Sequence, residues 1–169
     1  MLPQQSPTTA FKSLIVAALP SEDRLHQQLQ VLPDELWSGL GRELAGQLEG
    51  AEVVMALPHA SVLGQAVAQA LDRPLVMVAG SDPEALRGHP QAVLVTTELL
   101  DGVQEMELCV LGQRVGCEIR TVACALERTT SGGRYHLLQL GVKTVAAVRL
   151  AQLTDGLILE RRSVDRPPR

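Results

Sequence analysis

Apolar and polar positions change period several times along this chain, and those changes divide it into elements. Residues 53–57, 75–79, 93–97, 119–126 and 145–148 are short, mainly apolar runs of strand length. Helical spacing lies between them. Residues 34–48 carry Leu36, Leu40, Leu44 and Leu48 at every fourth position, with Trp37 beside that stripe and Gly50 beyond it. Val67 and Leu71, four apart, mark a helix over 62–71, and 103–115 reads as another. A shorter helix opens at Gly132-Gly133 and closes at Gly141. Strands apolar on both faces, alternating with helices, predict an α/β fold. Its mostly parallel sheet has five strands and is covered by helices.

The two ends read differently. Residues 1–9 are polar, carry Pro3 and Pro7, and suggest a loose arm. Residues 11–19 look strand-like, and 25–31 alternate with period two, so a hairpin around Pro20-Ser21-Glu22-Asp23 is expected as a small N-terminal hood. Ser21 followed by two acids is also a good helix start, which leaves a helix over 21–30 as the rival. From Thr154 onward the chain reads as a tail with one apolar patch at 157–159. A single domain over 1–169 is expected: arm and hood to 33, core over 34–153, tail over 154–169.

Charge and composition narrow the classes. The net charge is −4, and the arginines are scattered except in the tail (Arg161, Arg162, Arg166, Arg169). Without a basic stripe, nucleic acid is not the expected partner. Cys109, Cys117 and Cys124 form no C-x-x-C pair and are odd in number, so neither a zinc site nor a disulfide framework is expected. Buried free thiols in a reducing cytoplasm fit better. No apolar run approaches the ~18 residues of a membrane span, and residues 14–19 are short for a signal-peptide core. Phe11, Trp37 and Tyr135 are the only aromatics, so few side chains are available to stack on a base.

In such sheets ligands bind beyond the carboxyl ends of the strands. The loops to inspect are therefore 58–64, 80–90, 96–102 and 127–133. Residues 92–104, AVLVTTELLDGVQ, are the most informative: a strand runs into Asp101-Gly102 and then a helix, a frame that can hold an anion on helix amides.

Three stretches carry a resemblance: EVVMALPHASVLGQAVAQALDRPLVMVA (52–79), AVLVTTELLDGVQ (92–104) and CEIRTVACALERTTSGGRYHLLQLGVKTVAAVRLAQL (117–153). In their order and spacing the chain resembles a type I phosphoribosyltransferase, nearest the orotate branch, over residues 34–153. The resemblance implies a Rossmann-like phosphoribosyltransferase core and a homodimer. It also implies a phosphoribosyl pyrophosphate substrate that brings Mg2+, with a nucleobase displacing pyrophosphate at the ribose. By the same resemblance Thr96, Thr97, Glu98, Leu99, Leu100, Asp101, Gly102 and Val103 form the phosphoribosyl loop. His59, Ala60 and Ser61 form the pyrophosphate loop, while Arg87, Arg128 and Thr129 are candidates for the base or anion side. No resident metal site is implied.

Several side chains depart from that pattern. Thr96 and Thr97 stand where the family has two acids that hold the ribose hydroxyls. Leu100 and Asp101 stand where it has two threonines, and a carboxylate there occupies the ground a phosphate needs. The second strand ends in Ala79-Gly80 rather than Arg-Lys, and Lys12 and Lys143 are the only lysines. No catalytic residue is assigned. Three readings stay open. The first is a protein of this fold with lost or much reduced transferase activity that keeps nucleotide or sugar-phosphate binding. The second is a working transferase with Mg2+ and unusual side chains. The third is a regulatory or interaction protein on the same fold.

Overall fold

One six-stranded sheet, in the order β2-β1-β3-β4-β5-β6, organises the chain. The computed structural model describes residues 5–80 and 82–160. Strands β1 (Val53–Ala56), β2 (Leu75–Met77), β3 (Gln91–Leu99), β4 (Glu118–Arg128) and β5 (Lys143–Leu153) pair in parallel. Helices α3 (Asp34–Ala45) and α4 (Ser61–Leu71) cover one face, and α5 (Val103–Val115) and α6 (Gly133–Gln139) the other. The apolar runs are explained by this double cover. In β1, Val54 and Ala56 enter the core beneath α3 and α4, whereas Val53 and Met55 enter the core beneath α5. All three cysteines are buried and unpaired. Among the described residues no helix is long and apolar enough to cross a membrane.

The fold class agrees with the sequence pattern, but three expectations about the ends are corrected. First, the hood is a pair of helices, α1 (Pro7–Ala18) and α2 (Glu22–Gln30), and not a hairpin. Caps decide it: Ser6 accepts from the Thr9 amide, with Pro7 at the first helical position, and Ser21 accepts from the Arg24 amide ahead of Glu22 and Asp23. The period-two alternation over 25–31 requires Val31 to be buried, yet Val31 is exposed. The pair that packs inward is Leu25 and Leu29, one helical turn apart. Second, the arm is not loose from Pro7 onward, because Pro7 begins α1 and the Thr8 amide donates to Glu43 on α3. Residues 1–4 lie outside the described residues. Third, the sheet has six strands. The apolar patch in the tail forms β6 (Gly156–Leu159), antiparallel to β5. Residues 161–169, with the four tail arginines, lie outside the described residues.

The hood is fixed to the sheet at two places. Its α1–α2 turn docks on β6, where the Leu157 amide donates to the Pro20 carbonyl at 3.1 Å. Phe11 of α1 packs on Trp37 of α3, with ring centroids 5.7 Å apart. This holds α2 above the carboxyl ends of the central strands.

Candidate functional site

The carboxyl ends of β1 and β3, with α2 above them, enclose a cleft of 640 Å3. That volume suits a small organic molecule. One wall is apolar, formed by Leu29, Leu32, Trp37 and Leu63. The polar lining comes mainly from the turn between β1 and α4 and from the end of β3 with its turn into α5.

Strand β1 runs through a single 3-10 turn, Pro58–Ala60, into α4. His59 in that turn reaches across to β3, its Nε2 lying 3.0 Å from the Thr96 hydroxyl. The Thr97 hydroxyl donates back to the His59 carbonyl at 2.9 Å. Burial lowers the His59 pKa, only partly offset by Glu98, so the imidazole is neutral at pH 7 and offers an anion no positive charge. Thr96 is fully buried, and its hydroxyl also sits against the Glu98 carbonyl and the Glu105 carboxyl.

Strand β3 ends at Leu99, and Leu100-Asp101-Gly102 turns the chain into α5. Glycine is required at two points here. Gly102 has φ of 73°, and a Cβ on it would lie 3.0 Å from the Gly133 Cα. A Cβ on Gly133 would run into the Leu100 carbonyl oxygen. The close approach lets the Gly133 amide donate to Leu100 at 3.0 Å, and His136 Nδ1–H donates to the Asp101 carbonyl at 2.9 Å. The turn before α5 is thus clamped onto the turn before α6.

The side chains on that clamped turn are acidic. Asp101 Oδ1 accepts from the Val103 amide at 3.1 Å, at the head of α5. Glu105, one turn further, is only 6% exposed. Burial pushes its pKa up; its own backbone N–H and the Thr96 hydroxyl pull it down, and nearby Asp101 pushes it up again. Two amides in the first turn of α5 therefore already face carboxylates of the chain itself. Sequence reading missed Glu105, although a signal was present. Glu105, Leu108, Cys109 and Gly112 follow helical spacing on the buried face of α5, which places one acid among apolar neighbours.

The remaining candidates fall elsewhere. Glu98 lines the cleft, and Arg128 holds it from behind: Nε donates to Glu98 at 2.5 Å and a terminal nitrogen to Glu22 of α2 at 3.3 Å. Arg128 thus ties the β3 end to the hood and does not line the cleft. Thr129 lies 3.2 Å from the Leu150 carbonyl and 2.6 Å from the Glu160 carboxylate, a structural position beside β5 and β6. Arg87 pairs on the surface with Glu84, away from the cleft. His59, Ala60, Ser61, Thr96, Thr97, Glu98, Leu100 and Asp101 do come together on the lining, whereas Leu99 is core. Four acids line the cleft (Asp34, Glu98, Asp101 and Glu105), and among the described residues no lysine or arginine does. Nor, among those residues, do three or more His, Cys, Asp or Glu side chains converge to hold a metal ion.

No protein-family model matches the sequence, and no curated protein matches it. Solved structures do match the fold. An adenine phosphoribosyltransferase from Rhodothermus marinus superposes with a TM-score of 0.64 at 18% identity, covering 84% of this chain and 99% of the other. The orotate phosphoribosyltransferase of Mycobacterium tuberculosis, in complex with inorganic phosphate, gives 0.62 at 17% identity, covering 86% and 96%. The same enzyme in complex with 5-phospho-alpha-D-ribosyl 1-diphosphate gives 0.62 at 17%, covering 88% and 91%. Adenine and orotate enzymes match alike, so the fold does not single out the orotate branch. The chain has the fold of the type I phosphoribosyltransferases.

Proposed function

We propose that this chain is a phosphoribosyltransferase-fold protein that binds a small organic molecule in the cleft and does not transfer phosphoribosyl groups. The observation that carries this reading is the Asp101 carboxylate seated 3.1 Å from the Val103 amide. A helix N-terminus attracts an anion through its free amides and its dipole. Here the chain's own carboxylate takes that place, with Glu105 behind it. A phosphate brought within 4–6 Å of Asp101 meets like-charge repulsion on the order of 1–4 kcal/mol. That corresponds to a roughly five- to several-hundred-fold loss of affinity. Neutral His59 and the Arg128 guanidinium, which is engaged by Glu98 and Glu22, do not offset it. The apolar wall around Trp37 and the polar wall around Thr96 and Glu105 still form a small-molecule cleft. The favoured ligand is one whose anionic groups stay clear of the head of α5.

The test is direct. Thermal melting with millimolar phosphoribosyl pyrophosphate and Mg2+ is expected to leave the midpoint unchanged. Assays with orotate and adenine are expected to release no pyrophosphate. A saturable rise in the midpoint, or turnover of either base, would establish the active-transferase reading instead.

A further inference from the structure

The four acids that line the cleft are not equivalent. Arg128 pairs with Glu98, and the Val103 amide donates to Asp101. Asp34 is exposed in the first turn of α3, where water and the helix dipole stabilise its charge. Glu105 has none of these. It lines the cleft yet is only 6% exposed, so water reaches it poorly. Apart from its own N–H, the one donor against its carboxyl among the described residues is the Thr96 hydroxyl. A hydroxyl has a single proton to give. The Glu98 carbonyl, 3.4 Å away, competes for that proton, and His59 Nε2 lies 3.0 Å from the same oxygen. A carboxylate can accept about four hydrogen bonds. Most of the acceptor capacity of Glu105 is therefore unfilled among the described residues, on the lining of a cavity of 640 Å3.

The rest of the lining says what kind of molecule fills it. Leu29, Leu32, Trp37 and Leu63 give the cleft an apolar wall, and among the described residues no lysine or arginine lines it. A bare metal ion uses only the acids, and those of the described residues do not converge. An anion is repelled by all four. A neutral apolar molecule uses the wall and leaves Glu105 buried without a counter-charge, which is costly. A protonated amine on an apolar body uses both parts. Its N–H groups bring donors and positive charge to Glu105, and its body lies on Trp37 and the leucines. We infer that the cleft takes a small organic amine in its protonated form, with Glu105 as the counter-ion. This rests on the small-molecule reading above and adds the ligand class to it.

Trp37 is the one tryptophan of the chain and lines the cleft, so its fluorescence reports occupancy. Phenethylamine, phenethyl alcohol and phenylpropionate share an apolar body and differ in charge. They are titrated at about pH 8, above the ordinary imidazole range, and up to about 20 mM, a ceiling suited to fragments of this size. The amine is expected to bind roughly tenfold or more tighter than the alcohol, the usual worth of a charge-assisted hydrogen bond. The carboxylate is expected not to bind. In Glu105→Gln the amine is expected to fall to the affinity of the alcohol. The alcohol itself is expected to bind the variant as it binds the parent, which shows the cleft intact. Glu107→Gln removes the same charge from the exposed side of α5 and is expected to change nothing. Three results overturn the inference. One is an amine that binds no tighter than the alcohol, or not at all. Another is a preference for the amine that survives Glu105→Gln in a folded protein. The third is an equal loss of that preference in Glu107→Gln, which would assign it to the overall charge of the chain. The small-molecule reading fails by a different result, turnover of phosphoribosyl pyrophosphate with orotate or adenine.

Discussion

Glu105 and Glu127 are buried to nearly the same depth, 6% and 1% exposed, but their surroundings differ in kind. Glu127, at the end of β4, receives a two-pronged contact from Arg134 at 2.6 and 2.7 Å and a third from Arg149 at 3.2 Å. Its charge is matched where it stands. Glu105, at the start of α5, meets a threonine hydroxyl, its own N–H and the repulsion of Asp101. Among the described residues no basic side chain offsets it. A buried charge compensated within the protein belongs to the framework. One left uncompensated beside a cleft is maintained at a cost and is the better marker of a site.

That contrast is broken most forcefully at Glu127. Glu127→Gln leaves two arginines facing a neutral amide. Removing one member of a buried ion pair costs about 3–5 kcal/mol. Arg134 and Arg149 keep partial access to water, which lowers the expectation to roughly 2–3 kcal/mol. Urea unfolding monitored by circular dichroism measures it. A loss below about 0.5 kcal/mol, the range of ordinary surface changes, would mean that Glu127 is no more structural than Glu105.

A second substitution separates capping from ligand exclusion at the head of α5. Asp101→Ala removes the acceptor for the Val103 amide and is expected to cost about 1 kcal/mol, the usual value for a lost cap. The same change vacates the anion position. Inorganic phosphate, expected to have no measurable effect on the parent, is then expected to raise the melting midpoint of the variant. Stability lost without any gained phosphate response would show Asp101 to be a cap and nothing more.

How much of this is legible in the sequence depends on the range of the interactions. The strands of the core are readable because burial on both faces leaves a continuous apolar run, as in β1. The loop frame is readable in part: Gly102 answers a local backbone demand, its φ of 73°, whereas Gly133 answers a close approach to Leu100 in another turn. The hood is ambiguous because Leu25, Leu29 and Val31 satisfy a strand period over a short window, and only the Ser21 cap separates the alternatives. Arg128 looks like a ligand contact in sequence because its partner Glu22 lies 106 positions away and its other partner, Glu98, on a neighbouring strand. Glu105 escapes notice because an acid near a helix start is normally a solvated dipole partner. It is buried against Thr96 of β3, a strand-to-helix contact that no local pattern records.

The smallest expected effect is the most discriminating, because it has the opposite sign to that of Glu127→Gln. Burial raises the Glu105 pKa above its ordinary 4.5, so the folded chain holds a proton that the unfolded chain releases. Between pH 4.5 and the folded value, the native state therefore binds more protons than the unfolded state. The Glu105 contribution to parent stability falls as pH rises through that window and then levels off. Glu105→Gln has no proton to lose. Relative to the parent it is expected to gain stability across the window and to be neutral or slightly more stable at pH 7, by less than about 1 kcal/mol. His59 works from the other side: its lowered pKa removes stability as pH falls from 6.5, in parent and variant alike, so the difference between the two curves isolates Glu105. Melting midpoints of both proteins from pH 4 to pH 8 decide the matter. A variant destabilised equally at every pH would place Glu105 with Glu127, as a carboxylate whose charge the fold needs.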